Sequence, residues 1–151
     1  MGCVAAGQSH ANVLVRTALD DVLLIRRVRH GRVYYLAPGT VVREDETPGG
    51  AATRAAASFG IEAAIEDLLY AEAFAGVEHY FFLGTIETDA RPTVGHGYSE
   101  LDDWELIGER GGSFELVGLP LRALRAYDVR PPSLARRAVQ ARRAQPAVMP
   151  Y

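Results

Sequence analysis

LAPGTVVREDETPGGAATRAAASFGI, residues 36–61, is the stretch from which the fold can be read. It begins as the end of a strand, passes a Pro38-Gly39 turn and an acidic loop, and continues as a helix opened by Thr47-Pro48 and closed by Gly60. A threonine before the first helical turn can accept a hydrogen bond from an unpaired N–H, and proline suits the first helical position because no donor is needed there. Glycine closes a helix because it takes the left-handed conformation without strain. Inside the helix, Ala51, Ala52, Ala55 and Phe59 fall at i, i+1, i+4 and i+8, a narrow stripe that predicts close packing on a sheet.

This loop-helix unit resembles the Nudix box, G-x5-E-x7-R-E-U-x-E-E-x-G-U, where U is bulky and aliphatic. Pro38-Gly39 matches the entry to the box, Glu46-Thr47-Pro48 its frequent Glu-Thr-Pro, Arg54 its arginine, and Gly60-Ile61 its closing pair. The resemblance spans roughly Asn12 to Leu124 and implies a single-domain α/β protein, an α/β/α sandwich around a central mixed sheet. Three segments follow: a flexible terminus over 1–11, the domain over 12–145, and a tail over 146–151.

The departures fall on the chemistry. Thr40 stands at the first glycine of the box, and the run from Arg54 to Gly60 is one residue short. Counted forward from Arg54, the family's three helical carboxylates become Ala55, Ser58 and Phe59. Counted back from Gly60, they become Arg54, Ala57 and Ser58. Mg2+ is a hard cation that takes carboxylate, water and phosphate oxygens in near-octahedral array. Neither register supplies such oxygens, so the expected reading is a degenerate box that has lost Mg2+-dependent diphosphate hydrolysis.

Around the box, Val13–Ala18, Val22–Arg26 and Val33–Leu36 read as strands, the first two joined as a hairpin across Leu19-Asp20-Asp21. Leu68–Phe74 and His79–Ile86 form a second strand pair, the latter rich in aromatic and β-branched residues. Trp104–Ile107 and Phe114–Pro120 follow, and a last helix runs from Ser133 to about Ala144 behind Pro131-Pro132. Its Arg136, Arg137, Arg142 and Arg143 are expected to form a solvated face.

Composition narrows the function classes. The chain has 151 residues, 48% hydrophobic and 23% charged, as an ordinary globular domain does. All 16 basic residues are arginine, so Schiff-base and P-loop lysine chemistry are excluded. One cysteine, Cys3, cannot form an intrachain disulfide. A net charge of -3 gives no reason to expect nucleic acid, and no apolar run reaches the roughly 18 residues of a membrane span. A cytoplasmic location is the default expectation.

For catalysis, Glu46 could orient water and His79 could act as an acid or base near neutral pH. Against these stand plainer readings, an acidic loop before a helix and a solvated strand-edge histidine. Glu44 and Glu100 are candidate binding groups, Glu100 with Asp102 and Asp103 in the loop where the family often adds a carboxylate. Arg54 is expected to pair with Glu46 or Glu44 and fix the loop. Tyr35, Tyr80 and Phe82, with Tyr34 and Trp104, could stack on a planar ligand or simply pack the core. His30 is expected to serve a turn, and His96 lies in a Gly-rich loop. No metal-ligand spacing occurs among the one cysteine and four histidines.

These observations favour a divergent Nudix-like protein that binds a nucleotide-like or other small metabolite, or acts on it without metal. The alternatives are a weak hydrolase of nucleoside diphosphates linked to another moiety, and a non-enzymatic binding or dimerisation module. No cofactor is expected, Mg2+ entering only under the hydrolase alternative. The expected partners are a small-molecule ligand and, since the family often dimerises, a second copy of the chain.

Overall fold

The computed structural model describes residues 8–86 and 113–144. Among the described residues seven strands, β1 (Ser9–Arg16), β2 (Asp21–Arg29), β3 (Arg32–Leu36), β4 (Gly39–Val41), β5 (Ala64–Phe74), β6 (Val77–Thr85) and β7 (Ser113–Pro120), make one mixed sheet. Helix α1 (Pro48–Ser58) lies between β4 and β5. A 3-10 helix (Leu121–Ala126) and helix α2 (Pro132–Ala144) follow β7.

The main path of the sheet is β3-β2-β1-β6-β5, with β4 on β1 and β7 on β2. One pair is parallel: β1 and β6 match along their length, from Ser9 opposite Glu78 to Arg16 opposite Thr85. The other edge of β1 is shared. Its end, at Val15 and Arg16, pairs with β2, while His10, Ala11 and Asn12 pair with Val41, Thr40 and Gly39 of β4. The sheet therefore splays between β1 and the β2-β3 ribbon, and this divergence opens the space in which the candidate site lies.

Helices cover both faces. On one, Ala11, Val13, Val15, Leu23 and Ile25 pack against Ala51, Ala52, Ala56 and Phe59 of the α1 segment. On the other, Leu14, Val22, Leu24, Tyr70 and Phe81 pack against Leu134, Ala135, Ala138 and Val139 of α2. The expected stripe of α1 is buried as read, with Ala56 added to it. Thr47 caps the helix by accepting from the Gly50 N–H at 3.0 Å, and Gly60 closes it at φ 76°. His30 and Gly31, both at positive φ, make the β2-β3 turn.

Strands β2, β5 and β6 are shifted or longer than read from sequence, β5 starting at Ala64 rather than Leu68, and two further differences bear on the site. The first strand begins at Ser9, and His10 and Ala11 are buried, although Met1–Ala11 is small and polar in sequence. What holds Ser9–Ala11 is non-local, the backbone partners offered by β4 and β6. Pro38-Gly39 forms no tight turn but leads into β4, with Pro38 O accepting from the Val13 N–H at 2.8 Å. The expected Trp104–Ile107 strand lies outside the described residues, as do the side chains of Arg142 and Arg143. Arg136 and Arg137 are exposed. Among the described residues no helix is long and apolar enough to cross a membrane.

Candidate functional site

Between the diverging strands lies a cavity of about 400 Å³. β1 contributes His10 and Asn12, β3 contributes Tyr34 and Leu36, and β6 contributes His79 and Phe81. On β1 and β6 alternation explains the choice: His10, Asn12, His79 and Phe81 share the α2 face, whereas Ala11 and Phe82 belong to the α1 face, the side on which Tyr34 and Leu36 of β3 pack. The chain between the 3-10 helix and α2 adds Asp128, Arg130, Pro131 and Pro132.

The polar floor is organised by Asn12. Its Nδ2 donates to Tyr80 O at 3.1 Å, and because a carbonyl only accepts, that bond fixes the orientation of the amide. The same Nδ2 faces His79 Nδ1 at 3.4 Å, and Oδ1 faces His10 Nδ1 at 3.1 Å. One amide thereby sets opposite tautomers. His79 accepts at Nδ1 and carries its proton on Nε2, while His10 donates from Nδ1 and keeps a lone pair on Nε2.

Both rings are neutral near pH 7. Burial, followed by the nearby His79, lowers His10 to about 3, against an opposing hydrogen bond from Asn12. Burial lowers His79 to about 4, opposed by the Glu72 carboxylate, its cross-strand neighbour. The His79 ring also lies in an aromatic column. Phe74 stacks on it at 3.8 Å and 10°, Phe81 follows at 6.2 Å, and Tyr70 stacks on Phe81 at 4.6 Å. At the solvent side, Arg130 lies 4.1 Å over the Tyr34 ring and forms an ion pair with Asp128 at 3.1 Å.

The acidic loop is arranged differently. Arg54 reaches back from α1 and gives Nε to Glu46 Oε2 at 3.0 Å and a terminal nitrogen to Oε1 at 3.1 Å. It also donates to Val41 O at 2.9 Å and Thr40 Oγ1 at 3.3 Å. Glu46 Oε1 further accepts from the Arg43 N–H. The hydrogen bond from Arg54, above all, holds the Glu46 carboxyl below its ordinary range. The expected Arg54–Glu46 pair is present, and it ties the loop to both β4 and α1.

The sequence-predicted residues are thus divided. His79 and Tyr34 are at the cavity. Glu46 and Arg54 are engaged with each other away from its lining, and Glu44 is exposed in the same loop. Tyr80 and Phe82 alternate onto the α1 face of β6, and the Tyr35 ring turns from the cavity to meet Tyr127 edge-on at 5.5 Å. Glu100, with His96, Asp102, Asp103 and Trp104, lies outside the described residues. His10, Asn12, Phe81 and Arg130 join the site without having been expected there. The spacing of His10 and Asn12 around Ala11, continuing the alternation of β1, is the signal that could have found the first two.

No family model matches the chain, and no curated protein matches it in sequence. Solved structures do. MutT protein from Methanosarcina mazei Go1 superposes with a TM-score of 0.60 at 14% identity, covering 90% of this chain and 93% of that one. An Ap4A hydrolase from C. elegans gives 0.62 at 12%, covering 89% and 96%. RenU, a Nudix hydrolase from M. smegmatis, gives 0.59 at 19%, covering 95% and 88%. The chain has the Nudix fold.

Mg2+ is the ion that the Nudix fold implies at α1, and the residues there do not fit it. Ala55 and Phe59 are buried against the sheet, and Ser58 donates its hydroxyl to Ala55 O at 2.7 Å. The one carboxylate left in the box register, Glu46, is doubly bonded to a guanidinium. Among the described residues no group of three or more His, Cys, Asp or Glu side chains converges.

Proposed function

We propose that this Nudix-fold chain binds a small metabolite in the cavity between β1, β3 and β6, and binds it or acts on it without a divalent metal. The observation that carries this reading is the floor of the cavity. A buried asparagine there holds two neutral imidazoles in defined tautomers under walls that are apolar apart from Arg29, Asp128 and Arg130. Few convergent polar groups in an apolar pocket are what small-molecule sites use to fix orientation. The rival loop supports hydrolysis poorly, because Glu46 and Arg54 satisfy each other.

The test combines ligand screening with histidine NMR. Nucleotides, nucleotide sugars and small planar metabolites are titrated while the imidazole resonances of His10 and His79 are followed, with EDTA and then with Mg2+. The expected result is at least one ligand that shifts both imidazoles equally under the two conditions. Rapid hydrolysis of a dinucleotide or nucleotide sugar, abolished by EDTA and by Glu46→Gln, overturns the reading.

A further inference from the structure

Charge is sorted along the chain, and the fold sets the two signs side by side. Between Arg54 and the end of β6 there are five carboxylates, Glu62, Glu66, Asp67, Glu72 and Glu78, and no arginine. Between Leu121 and Ala144 there are seven arginines and one acid, Asp128, which Arg130 holds at 3.1 Å. Arg122, Arg125, Arg136 and Arg137 are exposed, as are all the carboxylates but the half-buried Glu72. Among the described residues no ion pair joins the one set to the other.

Helix stability does not account for this sorting. A solvated helix gains most from mixed signs spaced to pair along one face. α2 carries no acid at all, and Arg136 and Arg137 stand in its first half, where the helix dipole favours no cation. β5, at the end of the sheet path, holds Glu66, Asp67 and Glu72 without a cation. Like charges gathered in this way repel one another within a single chain.

The two surfaces adjoin along one seam. Ser133 of α2 donates to Glu72 of β5, Arg137 lies 5.5 Å over the Tyr70 ring, and Glu66 shares a small crevice with Ala138 and Ala141. A second copy turned by half a revolution about an axis along this seam lays its helix over the first copy's strand, and its strand over the first copy's helix. Both contacts then join opposite signs, which is the self-complementarity an isologous pair requires.

We propose that the chain forms a two-fold dimer through the α2–β5 seam, the arginines of each α2 facing the carboxylates of the other copy's β5. With α2 about 20 Å long and β5 about 36 Å, the contact has the area of a reversible association and not of a permanent one. Exposed charge pairs are screened by salt, so the dimer is strongest at low ionic strength.

Sedimentation velocity over a range of protein concentration, at about 20 mM and about 0.5 M NaCl, tests this with Arg136→Glu and Glu66→Arg. The expected result is a dimer at low salt whose dissociation constant rises about tenfold or more at high salt, and in either variant alone. Mixing the two variants at low salt should restore association, because each then meets the sign it lacks. That recovery also shows that both variants are folded. A monomer at every concentration, a dimer indifferent to salt or to either reversal, or variants that stay apart when mixed overturns the proposal. So does a wild-type monomer that captures a short single-stranded DNA and loses it in Arg136→Glu, which gives the basic surface to a polyanion instead.

Discussion

Arg54 shows how one side chain can hold three parts of a fold together. Its guanidinium joins Glu46, Val41 O and Thr40 Oγ1, so loop, strand and helix meet at one fork. Arg54→Ala is expected to cost about 1–2 kcal/mol in urea unfolding, toward the modest end because both partners keep some contact with water. The pH dependence follows from the sign of the Glu46 shift. Its folded carboxyl lies below the ordinary 4.5, so the stability it contributes is present above that value and is lost as pH falls through the folded value. The histidines add a second window. Their folded values, about 3 and about 4, lie below the ordinary 6.5, so the unfolded chain takes up protons that the folded chain refuses. Stability should be full above 6.5 and fall as pH is lowered from 6.5 toward 4, each ring adding up to about 1.4 kcal/mol per pH unit. Unfolding curves between pH 4 and pH 7 check this, and His10→Asn should flatten the slope.

At the scale of elements, two junctions carry the most consequence. Gly39, the first residue of β4, lies against the floor of the cavity. A Cβ there would collide with Asn12 Oδ1 and come within 2.9 Å of both Ala11 O and His10 Cε1. Gly39→Ala is therefore expected to destabilise the protein by about 1–3 kcal/mol and to displace the imidazole resonances of His10 and His79 together. The other junction ties α2 to β5: Ser133 Oγ donates to Glu72 at 2.6 Å and meets the Tyr70 hydroxyl at 2.8 Å. Ser133→Ala should cost about 1–2 kcal/mol, and a double-mutant cycle with Tyr70→Phe should show the two changes to be non-additive. The elements themselves were legible where signals are local. Thr47-Pro48 and Gly60 marked the ends of α1, and Glu46 with Arg54 marked the loop it clasps. The side of β6 was not legible. Both faces of that strand are covered, so apolar residues occupy consecutive positions and no alternation tells Tyr80 and Phe82 from His79 and Phe81.

For the molecule as a whole, the sequence carried the architecture better than the site. The Pro-Gly, Glu-Thr-Pro and Gly-Ile landmarks lie within one continuous segment, whereas the floor of the cavity joins residues 67 apart in the chain. Its assembly depends on β1 lying parallel to β6, a pairing that leaves no trace in either strand alone. That arrangement also has a practical side. The opening residues of β1 carry half of the hydrogen-bonded floor, so a fusion partner or affinity tag joined directly ahead of Ser9 would press on the cavity. A protease site placed there, or a truncation that removes Ser9 and His10, would disturb the floor of the cavity before it altered the rest of the fold.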